Sequence, residues 1–297
     1  MCGGPMKSKT IFRTISQLGL LLGFGLGTVQ VAAQDQFADV SIETVPVAGN
    51  ISMLLGQGGN IGVSAGDDGI LIVDDQYAPL ADRIRAALAE LGSDVPRFVL
   101  NTHFHGDHTG GNADFGAQSL IIAHENVRGR LQAGEAVAEA LPVITYDDDV
   151  TIHFNGEDIT LIHMPRGHTD TDSVVWFEGS NVIHMGDHFF NGGFPFVDLA
   201  NGGSVQGYLR NLETALSWIA DDTAVIPGHG PLASKADLLE FYNMVRDTSI
   251  SIMAMKSQRM SREEIVAAGL DPMYERWGQG FINEQRWIET VYDSYPR

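Results

Sequence analysis

At 297 residues, with 38 acidic against 18 basic side chains, the chain carries a net charge of −20. That excess argues against a nucleic-acid partner, because a phosphate-backbone binder needs clustered Lys and Arg to displace counterions, and here they are scattered. The length suffices to bury a sizeable core, most simply as one domain, and the single cysteine, Cys2, lies at the extreme N-terminus, so neither a disulfide nor a thiolate metal ligand is expected in the folded body.

The first 33 residues read as a secretory signal peptide: Lys7, Lys9 and Arg13 precede an apolar, Gly-rich run from Leu18 to Val31, and Val31-Ala32-Ala33 offers small residues at a cleavage site. The run is short and Gly-rich for a membrane span, and Cys2 precedes it instead of following it, unlike a lipid-modified cysteine. Cleavage would take the net charge from −20 to −23 and leave residues 34–297 as one exported chain, periplasmic or secreted, with no stable membrane insertion.

Asp35 to Thr44 reads as an opening strand or arm. Ile51 to Leu55, Ile61 to Ser64 and Ile70 to Val73 are short apolar runs separated by Gly/Asp/Asn clusters, the pattern of a β-meander. Leu80, Ile84, Leu88 and Leu91 recur at helical spacing and Gly92 stops that helix. Phe98 to Asn101 is a strand, Thr109 to Asn112 a turn, Ser119 to Ala123 a buried strand and Asn126 to Ala140 helix-prone. Asp147-Asp148-Asp149 reads as a solvated turn, and from Ile152 onward strand signals return, at Ile159 to His163, Val174 to Phe177 and Val182 to Met185. Gln206 to Ile219 is a helix and Thr223 to Ile226 the last strand. From about residue 235 the chain reads as a helical extension, with a capping box at Ser261 and Glu264 and Trp277, Phe281, Trp287 and Tyr292 available to pack it onto the body. Strands followed by helices, twice, predict two α/β halves whose sheets face each other.

Directly after the Phe98 strand stands His103-Phe104-His105-Gly106-Asp107-His108, four metal-capable side chains in six positions. Imidazoles and a carboxylate suit Zn²⁺ or Fe and suit Mg²⁺ or Ca²⁺ poorly. Further ligand types follow later strands, each just after a glycine: His168, Asp187 and His229. Five histidines and two aspartates suffice for two cations, with His103, His105 and His168 on the first, Asp107, His108 and His229 on the second, and Asp187 bridging. Each cation keeps an open position, which a catalytic site requires and a structural zinc site lacks. The bland alternative is a site that only stabilises the fold. His124, His153, His163 and His184 read as packed or surface residues, and His188 as a neighbour of Asp187 with no ligand role. Phe194 and Phe196, in a Gly-rich loop from Asn191 to Gly203, are either core or one wall of an apolar pocket.

The run from His103 to His108 resembles the HxHxDH signature of the metallo-β-lactamase superfamily, and His168, Asp187 and His229 fall in the order and settings of its later ligands, over roughly residues 45 to 235. The resemblance implies a four-layer αβ/βα sandwich with the metals at one edge of the two sheets. Where the cysteine-bearing β-lactamases have Cys, and a Lys three residues on, this chain has Asp187 and Phe190; the bridging aspartate is instead similar to that of glyoxalase II and the lactonases. The stretch Gly186 to Asn191, followed by Pro195 to Asp198, resembles an exported branch of the superfamily whose substrates the resemblance does not name. The expectation is a hydrolase with two Zn²⁺, iron or manganese being alternatives, in which a metal-bridging hydroxide attacks a small-molecule carbonyl compound (lactone, ester, thioester or cyclic amide) and Asp107 orients it and accepts its proton. A β-lactamase is the first alternative and a metal-binding redox or accessory envelope protein the second. The sequence leaves the oligomeric state open.

Overall fold

The computed structural model of the protein describes residue 1 and residues 36–295, so the expected signal segment and Cys2 lie outside the described residues. Among the described residues no helix is long and apolar enough to cross a membrane.

Seven strands form a first sheet in sequence order: β1 (Glu43–Ala48), β2 (Ile51–Leu55), β3 (Ile61–Gly66), β4 (Gly69–Val73), β5 (Phe98–Asn101), β6 (Leu120–His124) and β7 (Ile144–Tyr146). β1 to β4 are the expected antiparallel meander, and β4 to β7 are parallel, each crossover carried by helical segments, of which α1 (Ala81–Leu91) and α2 (Glu125–Ala133) are the longest. Six strands form the second sheet: β8 (Asp149–Phe154), β9 (Glu157–His163), β10 (Ser173–Phe177), β11 (Val182–His184), β12 (Ala224–Ile226) and β13 (Ala233–Ser234). The β11 to β12 pair is its parallel step, and α3 (Val205–Trp218) makes the crossover. Then come α4 (Lys235–Ser257), α5 (Arg262–Ala268) and α6 (Glu284–Ser294).

Strand alternation explains the layering. In β4, Leu71 and Val73 point into an inter-sheet core with Leu161, Val175, Phe177 and Ile226, while Ile70 and Ile72 point outward onto Leu80, Ile84 and Leu88 of the α1 region. In the second sheet Val174, Ile183 and Val225 face Tyr208, Leu212, Phe241, Trp287 and Ile288. Both sheets are therefore buried on two faces, which is why their central strands read as unbroken apolar runs, and the architecture is the four-layer αβ/βα sandwich.

Several local expectations need correction. Of the strand-or-arm alternatives for the opening stretch, residues 36–42 are an arm with a turn at 36–39, and the strand begins at Glu43. The turn expected at residues 109–112 is confined to Gly110 and Gly111, between the short helices Gly106–Thr109 and Asn112–Phe115. The helix from Asn126 ends at Ala133, where Gly134 caps it and Glu135 takes a positive φ of 59°. Asp149 starts β8 instead of belonging to a solvated turn. Phe281 does not pack the last helix down, being 73% exposed, whereas Trp287 is fully buried.

Candidate metal centre

β5, β11 and β12 end at the same edge of the sandwich, and their following loops, with the one after β9, carry His103 to His108, Asp187, His229 and His168. The structure brings all seven together. His103, His105, His168 and Asp187 converge as one group and Asp107, His108 and His229 as another. In the first, His105 Nδ1 lies 3.1 Å from His103 Nε2 and 2.9 Å from His168 Nε2, with Asp187 Oδ2 3.4 Å from His168 Nε2. In the second, His229 Nε2 lies 3.4 Å from both His108 Nε2 and Asp107 Oδ2. The other oxygen of Asp187, Oδ1, turns to this group, 3.1 Å from His108 Nε2 and 3.3 Å from His229 Nε2, so the one carboxylate spans both groups.

Whether these residues fit cations can be tested on their outer nitrogens. Asp74, fully buried just after β4, takes His108 Nδ1 at 2.7 Å. Because a carboxylate only accepts, Nδ1 carries the proton and the Nε2 lone pair faces the centre. Thr102 Oγ1 donates to Asp74 Oδ2 and so accepts from His103 Nδ1 at 3.0 Å. His105 Nε2 donates to Asp198 Oδ2 at 3.0 Å, and His168 Nδ1 to the Phe196 carbonyl at 2.7 Å. Four imidazoles thus present lone pairs inward, and Asp187 Oδ1 is buried without a hydrogen-bond partner. Lone pairs converging on lone pairs are mutually repulsive unless cations lie among them, and a buried orphan carboxylate oxygen is costly on its own. The donor set fits two divalent cations.

Protein charges alone split the two groups. Burial drives His103 well below the usual imidazole range and His168 to about 4. Burial acts the same way on His229 and His108, but Asp187 and the nearby carboxylates outweigh it, raising His229 to about 9 and His108 well above its ordinary value. The surrounding imidazoles hold Asp187 well below the ordinary carboxylate range against the opposing effect of burial.

The glycines act between ligands. A Cβ at Gly228 would lie 2.3 Å from Asp187 Oδ1, and one at Gly59 would lie 2.2 Å from the His108 ring, so glycine at these two positions leaves room for neighbouring side chains. Among the other histidines, His124 stacks on His163 at 3.7 Å, His153 is exposed and pairs with Asp158, and His184 bonds the Asn60 carbonyl. His188 accepts from Asn211 Nδ2 and stacks on Tyr208. Residue-by-residue reading missed Asp74, Asp198 and Thr102, whose contacts with His108, His105 and His103 no local pattern announces.

Beside the centre opens a cavity of about 780 Å³, lined by Tyr77, His105, Asp107, Asp187 and His229 and by the aromatic rings of the Asn191 loop. Phe196 is one of those rings, in line with the pocket-wall expectation.

The sequence model of the metallo-beta-lactamase superfamily matches residues 56–229. A hydroxyacylglutathione hydrolase of Polaromonas is 34% identical over 44% of this chain and 47% of its own length. An atrochrysone carboxyl ACP thioesterase of Aspergillus chevalieri is 24% identical over 79% of this chain and 67% of its own. The chain therefore spans about half the length of that hydroxyacylglutathione hydrolase. The crystal structure of DIM-1 metallo-beta-lactamase superposes with a TM-score of 0.60 at 20% identity, covering 71% of this chain and 100% of that one; a metallo-beta-lactamase from Pontibacter korlensis gives 0.61 at 14% identity, over 69% and 99%. These likenesses establish the fold, and the family match, which takes in the HxHxDH run, Asp187 and His229, establishes the lineage. The chain belongs to the metallo-beta-lactamase superfamily, with its candidate metal ligands at the meeting edge of the two sheets.

Proposed function

We propose that the chain is a metal-dependent hydrolase whose seven ligands hold two divalent cations, zinc before iron or manganese, and that it opens a carbonyl compound such as a lactone, ester, thioester or cyclic amide. The observation that carries this reading is Asp187, whose two oxygens face two separate groups of inward-turned donors. When bound, the two cations would supply Lewis acidity toward a carbonyl oxygen and acidify water between them. The remaining work belongs to the protein. His103 and His168 are buried and hold their places through their outer nitrogens, whereas Asp107 and His229 are partly open and face the cavity. Asp107 Oδ2 is held below the ordinary carboxylate range, chiefly by His108 and His229 against its burial, so it is ionised at neutral pH and able to take a proton from attacking water.

Two features favour carbonyl substrates: relatives that include a hydroxyacylglutathione hydrolase and an ACP thioesterase, and the absence of any Lys or Arg lining the cavity that would clamp phosphate among the described residues. The same reading makes residues 1–33 a signal removed on export and residues 34–297 one hydrolase domain with a helical C-terminal part; intact mass of the exported protein tests that division.

Elemental analysis of the purified protein should give two zinc per chain, and EDTA should abolish cleavage in a panel of lactones, thioesters, β-lactams and phosphodiesters. One iron per chain with oxygen uptake would replace this reading with a redox one. Asp107→Ala should lower turnover by about a hundredfold or more; undiminished turnover at full metal content would remove Asp107 from the proton transfer.

A further inference from the structure

Away from the ligands the cavity wall is aromatic. Phe190 stacks on His229 with ring centres 5.1 Å apart and planes 16° from parallel. Phe196 sits 5.8 Å from the His105 ring and 5.6 Å from His168. Facing Phe196 is Phe281, which meets it edge-on at 6.0 Å and 87°. Phe281 comes from the turn between Gln279 and α6, beyond the residues matched by the family. It is 73% exposed, so core packing does not account for it. A large ring left in water at the rim of a cavity is poised to be covered by what enters.

Charge is equally informative. No Lys or Arg lines this cavity. Arg286 lies near, its guanidinium carbon 5.0 Å from the Phe281 ring, but it lines an adjacent groove together with Arg262 and the acidic Asp198, Glu289 and Asp293. The carboxylates that do reach the cavity, Asp107 and Asp187, are ligands. A substrate carboxylate pressed against these rings would lose its hydration with no cation in the cavity lining to offset the loss, whereas a flat apolar group gains burial and ring contact.

We propose that Phe196 and Phe281 form an aromatic clamp for the acyl part of a neutral, apolar carbonyl compound, arylacyl above all, and that the site disfavours acyl groups bearing a carboxylate. The clamp deepens the hydrolase reading and rests on it for the bond that is cleaved.

N-acetylcysteamine thioesters of phenylacetic, acetic and succinic acid share one leaving group and differ only in the acyl part. For the metal-loaded protein kcat/KM should fall in that order, with phenylacetyl above succinyl by about tenfold or more. Phe281→Ala should narrow the phenylacetyl-to-acetyl ratio about three- to tenfold, and Phe281→Tyr should largely restore it. A succinyl thioester cleaved as fast as the phenylacetyl one, or a ratio unmoved by Phe281→Ala, overturns the clamp and leaves the hydrolase standing. Calorimetry with two ketones that cannot be hydrolysed separates the failures. If no thioester is cleaved, tighter binding of 4-phenyl-2-butanone than of levulinate, weakened by Phe281→Ala, still upholds the clamp; no difference between them overturns it.

Discussion

Each of four imidazoles presents a lone pair to the centre because its other nitrogen is already committed, and Asp74 shows how much depends on that commitment. Its Oδ1 accepts from the Thr102 amide and its Oδ2 from Thr102 Oγ1 and His108 Nδ1. In Asp74→Asn an amide N–H₂ would replace one acceptor, either opposing His108 Nδ1–H or abandoning Thr102, and His108 would tend to carry its proton on Nε2, the nitrogen that should hold the cation. Affinity for zinc, read by competition with a chromophoric chelator, should drop about ten- to a hundredfold, while a wild-type value would show that Asp74 does not select the tautomer. The seven candidate ligands were legible because they crowd into one run or follow glycine at strand ends. Asp74 and Asp198 were not, since they reach His108 and His105 only through tertiary contact and nothing local distinguishes them from surface acids.

The strands that two-sided burial makes apolar were legible throughout, from Ile51 to Ile226, whereas elements at the margins were not. β7 is three residues long, and β8 is an edge strand with alternate residues exposed, opening on the acid Asp149, so its first residue passes for part of a turn. The helix starting at Glu125 was read too long because Gly134, which could be a tolerated glycine inside the helix, is its C-terminal cap, after which Glu135 turns the chain at a positive φ. At the other end of the chain, α6 closes the fold through Trp287, which is fully buried, donates Nε1–H to Thr248 Oγ1 of α4 at 2.8 Å and stacks on Phe194 of the cavity loop at 5.8 Å. Trp287→Ala should cost about 3–5 kcal/mol in chemical denaturation. It should also raise KM for apolar substrates by freeing Phe194, a change that a purely distal packing residue would not produce.

Across the whole molecule, the candidate ligands come from both halves: His103 to His108 follow a strand of the first sheet, while His168, Asp187 and His229 follow strands of the second. Cations bound there stabilise only the assembled sandwich, so stripping with EDTA should lower the midpoint of thermal unfolding by about ten degrees; an unchanged midpoint would mean that the halves hold without them. One buried group outside the ligand set adds its own pH dependence. Asp172 anchors the turn after His168, accepting from the Thr169 amide at 2.8 Å and from the Thr169 hydroxyl; burial raises its carboxyl from 3.8 to about 7 despite these bonds. A carboxyl whose folded value is raised binds its proton more tightly in the native state, so its contribution to stability is fully present below 3.8 and is lost as pH rises through about 7. Asp172→Asn keeps a carbonyl for the Thr169 amide, and its N–H₂ can donate to Thr169 Oγ1, which then donates to Thr171 Oγ1 at 2.8 Å. The variant should therefore gain on the wild type by about 1.4 kcal/mol for each pH unit between those two values. Urea titrations of both proteins at intervals from pH 4 to pH 8 measure that slope, and a constant difference across the series would show that Asp172 is ionised in the native state throughout.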